Sequence, residues 1–206
     1  MHRSIQATGV VVVWVCLVMA AGIVQAQSVI GAKGPAPAPV VLDPTGLFQE
    51  KYATVGDDLF IGGQPTEQAL RDLKAKGVTT VVNLRMPEEM TRVTFDEAAL
   101  LKELGITYVH IPLNGRDETA YAPAALDRFA SVMASAKGKV LLHCTVAWRA
   151  SHMWGAYLIR ERQVPVTEAL TQVRSINLRD DRPFGTQQPI EGLLGRTLPE
   201  LMRPKQ

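Results

Sequence analysis

Short β-branched runs alternate with amphipathic stretches of helical length along the middle of the chain, and this alternation constrains the fold most strongly. Val78 to Leu84, Ile106 to Ile111 and Val140 to His143 read as strands, the first bounded by Gly77 and Pro87 and the second ended by Pro112. Helices are expected around them. Thr66 caps a helix to about Lys76, which Gly77 stops. Thr94 to Leu104 carries an apolar stripe ended by Gly105, and Pro123 to Ala136 has Pro at its start and Gly138 past its end. Ala150 to about Arg162 follows, then a Thr167-capped helix to about Ile176. Strands linked through helices need right-handed crossovers. The expected fold is therefore α/β, a mainly parallel central sheet flanked by helices in three layers. Ligands in such sheets sit at the carboxyl ends of the strands. The turn after the third strand holds Cys144.

The rest of the chain divides around that unit. Met1-His2-Arg3 precedes a nearly uninterrupted apolar run from Val10 to Ala21, and Val24-Gln25-Ala26 is a small-x-small ending. This is the layout of a signal peptide, residues 1–26, cleaved after Ala26, which implies a periplasmic or secreted protein. Cleavage leaves no apolar segment for a membrane. Residues 27–44 read as a linker, because Gly34-Pro35-Ala36-Pro37-Ala38-Pro39 cannot form a helix. The domain is expected over 45–180, with a Pro-interrupted extension over 181–206. A balance of 22 basic and 20 acidic residues argues against a nucleic-acid partner. Two Cys are too few for a disulfide framework or a thiolate metal site, so neither a metal nor a cofactor is expected. The oligomeric state cannot be read from the chain.

Loss of residues 1–26 removes Cys16 and leaves Cys144 as a lone thiol in His143-Cys144-Thr145-Val146-Ala147-Trp148-Arg149-Ala150-Ser151. A lone Cys is often a buried, inert hydrophobe. Here its neighbours point to chemistry. Amides of Thr145, Val146, Ala147 and Trp148 at a helix start form an anion site, and that helix end together with Arg149 favours the thiolate. Arg149 can hold two oxygens of a tetrahedral anion at once. Nucleophile, amide donors and charge clamp thus fall within six residues.

On Gly63-Gln64-Pro65, Val81-Val82-Asn83-Leu84-Arg85, the segment Gly105 to Leu113, and Val140-Leu141-Leu142-His143-Cys144 followed by Arg149, the chain resembles cysteine-dependent phosphatases of dual-specificity type. It looks closest to the bacterial branch called beta-lactamase-hydrolase-like phosphatases. The resemblance runs from about Leu59 to Leu178. It implies that Cys144 accepts a phosphoryl group as a thiophosphate, that Arg149 binds the phosphoryl oxygens, and that the loop amides of residues 145–148 complete the cradle. The substrate would be a phosphorylated small molecule or a phosphoprotein. By the same resemblance His143 orders the loop, and an Asp on the loop after the preceding strand protonates the leaving oxygen. Asp117 fits that place, with Glu118 in reserve.

Three departures from the family pattern stand out. Four residues, and not the usual five, separate Cys144 from Arg149. Ala147 replaces a frequent Gly, at about 1 kcal/mol or more of strain if its backbone is left-handed. Ala150 takes the place of a Ser or Thr that assists the thiolate, a role left to Ser151 or Thr145. Two other readings stay open: a rhodanese-like sulfurtransferase, whose loop also has four residues and whose Cys carries a persulfide, and a non-catalytic phosphate-binding module. Arg85, at the active-site end of its strand, is expected to pair with Glu88, Glu89 or Asp96 more than to attract an anionic substrate, and Trp148 to pack into the core more than to stack on an aromatic substrate or floor the pocket.

Overall fold

The computed structural model describes residues 38–179 and 188–203. The proposed signal peptide and residues 27–37 of the linker lie outside the described residues. Six strands form one sheet in the order β1-β2-β3-β6-β4-β5. β4 (Val78–Asn83), β5 (Thr107–His110) and β6 (Lys139–His143) are parallel, and β6 also runs parallel to β3 (Leu59–Gly62). β6 is therefore central. Both its faces are covered, which is why Val140-Leu141-Leu142 is an unbroken apolar run.

The period-two alternation of strand side chains separates two cores. Val82 and Leu142 join Phe129, Met153, Trp154 and Val173 on one face. Val81 and Leu141 join Leu70, Leu73 and Leu101 on the other. α1 (Glu67–Ala75) and α3 (Glu97–Glu103) cover the second face. α4 (Pro123–Ser135), α5 (Trp148–Arg160) and α6 (Val166–Ile176) cover the first, and a four-residue helix, α2 (Pro87–Met90), follows β4.

The structure corrects the sequence reading at several points. β1 (Pro39–Leu42) and β2 (Tyr52–Val55) extend the sheet as an antiparallel meander, so the sheet begins inside the segment read as a linker. Proline is tolerated there because β1 is an edge strand and Pro39 its first residue, where no ladder N–H is required. α3 starts at Glu97, capped by Asp96 accepting from Ala99 N, and not at Thr94. α5 starts two residues before Ala150, and α6 begins at Val166 after Pro165, so Thr167 is no cap. In the C-terminal extension, α7 (Pro189–Leu194) buries Ile190 and Leu193 in the first core, and α8 (Leu198–Leu201) follows it.

Candidate active site

β6 ends at His143, and Cys144 is the first residue beyond it, 1% exposed. The three residues that follow, Thr145, Val146 and Ala147, lead directly into α5. Ala147 takes up the tight turn with φ of +66°, the left-handed conformation that its replacement of Gly made costly. The scaffold holds the loop by its carbonyls. Gln64 N donates to Thr145 O at 2.9 Å, and Asn177 Nδ2 donates to Val146 O. Gly63 permits this approach. A Cβ there would lie 1.9 Å from Gln49 O and 2.8 Å from Thr145 O, a contact only glycine avoids. With the Thr145 and Val146 carbonyls tied outward, Cys144, Thr145, Val146, Trp148 and Arg149 line a cavity of about 480 Å³ at the carboxyl ends of the parallel strands.

Arg149 is fixed by four elements. Its Nη1 donates to Leu84 O at 3.2 Å and Leu113 O at 3.0 Å, the carbonyls just beyond β4 and β5. Nη1 and Nη2 each donate to one carboxylate oxygen of Glu89 at 2.7 Å, and Nη2 reaches Thr145 Oγ1 at 2.9 Å. Glu89 also accepts from Met86 N at 2.6 Å and from Thr145 Oγ1 at 2.9 Å. Burial alone would raise the Glu89 pKa. The Arg149 hydrogen bonds and charge, with Met86 N and Thr145, outweigh it and hold the carboxyl at about 2. Burial likewise opposes the Arg149 charge, and Glu89 and Cys144 more than restore it.

A buried polar network continues from Glu89 to His143, the residue before Cys144. Arg85 is 5% exposed; its Nη2 donates to Glu89 O at 2.8 Å and its Nη1 to Gln64 Oε1 at 2.5 Å. Gln64 Nε2 donates to Glu97 Oε2 at 2.6 Å. Glu97 Oε1 accepts from Asn83 Nδ2 and from His143 Nε2, both at 3.1 Å. Only a protonated Nε2 can donate to a carboxylate, so the contact fixes which His143 nitrogen carries a proton. Burial pushes the Glu97 pKa up, but His143, Gln64 and Asn83 together keep it below the ordinary value. Arg85 thus takes neutral acceptors and not the carboxylate partner expected of it.

The other sequence candidates are placed as follows. Thr145 contacts both Arg149 and Glu89. Ser151 is fully buried and donates to Ala147 O at 2.9 Å, so its hydroxyl is spent on the helix backbone. Trp148 is buried and meets the His152 ring edge-on at 4.7 Å while also lining the cavity. Burial lowers the His152 pKa to about 3, which keeps that ring neutral. Asp117 opens a three-residue 3-10 turn, Asp117–Thr119, with φ of +44°. Asn114 and Gly115 amides both donate to Thr119 O, which closes the loop on itself and turns its tip outward. Leu113, Asn114 and Tyr121 line the cavity from this loop; Asp117 and Glu118 do not. Among the described residues no group of three or more His, Cys, Asp or Glu could hold a metal ion, and no helix is long and apolar enough to cross a membrane.

Two functional partners escaped the sequence reading, Glu89 for Arg149 and Glu97 for His143. Glu97 did carry a signal, a first-turn acid just after the Asp96 cap, but capping and burial look alike in sequence.

Comparison with known proteins bears on this geometry. The family model described as a DSP-PTPase phosphatase fused to NAD+ kinase matches residues 49–189. A beta-lactamase hydrolase-like protein of Xylella fastidiosa is 28% identical over 102 residues, 48% of this chain and 23% of that protein. The chloroplastic NAD kinase 2 of Arabidopsis thaliana is 34% identical over 119 residues, 52% of this chain and 12% of that protein. The chain therefore spans less than a quarter of the length of these curated relatives. The crystal structure of TpbA from P. aeruginosa superposes with a TM-score of 0.57 over 82% of this chain and 96% of its own, at 18% identity, which shows the shared fold. The family match covers strands β2 to β6, the Cys144 loop and α5 together and favours neither of the other two readings of the loop. By this match the chain belongs to the DSP-PTPase phosphatase family.

Proposed function

We propose that this chain hydrolyses phosphomonoesters through Cys144. The observation that carries the reading is the cavity that brings the Cys144 loop, Thr145 and Arg149 together at the strand ends. The Cys144 thiolate attacks phosphorus, the ester P–O bond breaks, and the departing oxygen takes a proton. Water then cleaves the P–S bond of the thiophosphate and releases phosphate, returning the thiolate. The Nη groups of Arg149 are taken up by Glu89, Thr145 and two carbonyls, so its charge stands ready beside the phosphoryl oxygens, and substrate binding exchanges part of that set for them. Asp117 serves as the general acid if its loop folds inward on substrate, with Glu118 next to it as the reserve; phosphoryl-transfer sites commonly close this way. The substrates are phosphorylated small molecules or phosphoproteins. Export, with a mature chain starting near Gln27, is suggested by the N-terminal pattern and is checked by sequencing the N-terminus of the exported protein.

Rapid quench of the wild-type protein with an aryl phosphate, followed by intact mass measurement, tests the chemistry. A phosphate adduct on the Cys144 peptide, absent with Cys144→Ser, is expected. If phosphate never adds, while thiosulfate leaves an extra sulfur on Cys144, the reading is wrong.

A further inference from the structure

We propose that a second cavity beside the Cys144 pocket is an anion subsite, so that the substrate is a small phosphomonoester bearing a further phosphate or carboxylate. This rests on the phosphatase reading and extends it to the substrate class. The cavity has a volume of about 720 Å³ and shares Glu89 and Thr145 with the pocket that holds Cys144. A ligand anchored at Arg149 therefore has this space immediately alongside.

Arg85 lines the cavity, and its charge is left to neutral groups. Its two Nη atoms donate to the Gln64 side-chain oxygen and the Glu89 carbonyl, and its buried Nε has no hydrogen-bond partner. Among the described residues no carboxylate lies within ion-pair distance of it. Glu89 and Glu97 act on it from further away, and each is already engaged, by Arg149 and by His143. Burial accordingly pulls the Arg85 pKa below its ordinary value, a cost that an added anion would offset. Arg92 lines the same cavity, is exposed, and forms no ion pair among the described residues. The first turn of α1, a nine-residue helix, adds the positive end of its dipole at Thr66 and Gln68. Glu67 on that turn and Glu89, whose charge Arg149 already pairs, oppose them. The volume falls in the range of small-molecule sites, about 300–1,000 Å³, and Phe48 and Phe95 supply apolar walls. These features favour a compact ligand over a peptide.

Steady-state kinetics on alkanediyl bisphosphates of graded length, with matching carboxyalkyl phosphates and alkyl monophosphates, test the assignment and separate phosphate from carboxylate. At the right length a compound bearing the second anionic group should show a KM about tenfold below its monophosphate. Arg92→Ala should erase that advantage, leave the monophosphate kinetics unchanged, and Arg92→Lys should restore part of it. Equal KM values across the series, or an Arg92→Ala effect shared by monophosphates, would overturn the proposal. An Arg92-dependent advantage confined to acidic phosphopeptides would overturn it too, in favour of a protein substrate. If the wild type cleaves none of these esters, the phosphatase reading fails on its own. Calorimetry of the bisphosphates with Cys144→Ser then tests the subsite separately. Binding weakened by Arg92→Ala supports it, and no binding overturns it.

Discussion

Glu89→Gln isolates the contact that holds Arg149 in place. The carboxylate takes two Arg149 N–H groups at 2.7 Å, and substitution presents an amide N–H₂ to one of them. A carboxyl held at about 2 against an ordinary 4.5 sets a ceiling of about 3 kcal/mol on its contribution. The Glu89 side chain is 28% exposed and Arg149 11%, so solvent screening brings the expected value to about 2 kcal/mol. The sign follows from the direction of the shift. Because the folded pKa lies below the unfolded one, the stabilisation is fully present above pH about 4.5 and is lost as pH falls toward 2. Urea unfolding of wild type and Glu89→Gln across that window should show a stability gap of about 2 kcal/mol at neutral pH that closes in acid. A gap that stays constant with pH, or that is absent at pH 7, refutes the argument that ionised Glu89 anchors Arg149. kcat/KM for an aryl phosphate should fall in the same variant, because Arg149 loses one of its supports.

Gly63→Ala should destabilise the protein by about 2 kcal/mol or more in urea unfolding and impair turnover, since the new Cβ would meet Gln49 O at 1.9 Å and push on the Cys144 loop. Glu97→Ala leaves His143, Asn83 and Gln64 donors without their buried acceptor and should cost about 3–5 kcal/mol, read as a fall in Tm. Asp117→Asn should slow hydrolysis of an alkyl phosphate by about 10²-fold or more while barely affecting an aryl phosphate with a good leaving group. An equal, small effect on both would clear Asp117 and move attention to Glu118.

The sequence by itself determined the parallel half of the sheet and the place of the site. Its evidence was local: β-branched runs such as Val78 to Leu84 stopped by Gly and Pro, and a Cys delivered by Val140-Leu141-Leu142-His143 to a helix start. The family resemblance also marked Ala147, standing where relatives often carry Gly, as the position strained if left-handed, and its φ of +66° is left-handed. Only the tertiary structure decided the partners. β1 and β2 are four residues each and acquire strand character from pairing, which a local pattern does not carry. Glu89 reaches Arg149 across sixty positions, and Glu97 reaches His143 across forty-six. In sequence both acids look like ordinary first-turn residues of short helices. Packing around the strand ends makes one the anchor of Arg149 and the other the buried acceptor of His143, next to Cys144. The same packing folds the loop of Asp117 back on Asn114 and Gly115, placing that acid outside the cavity its position in the chain had suggested.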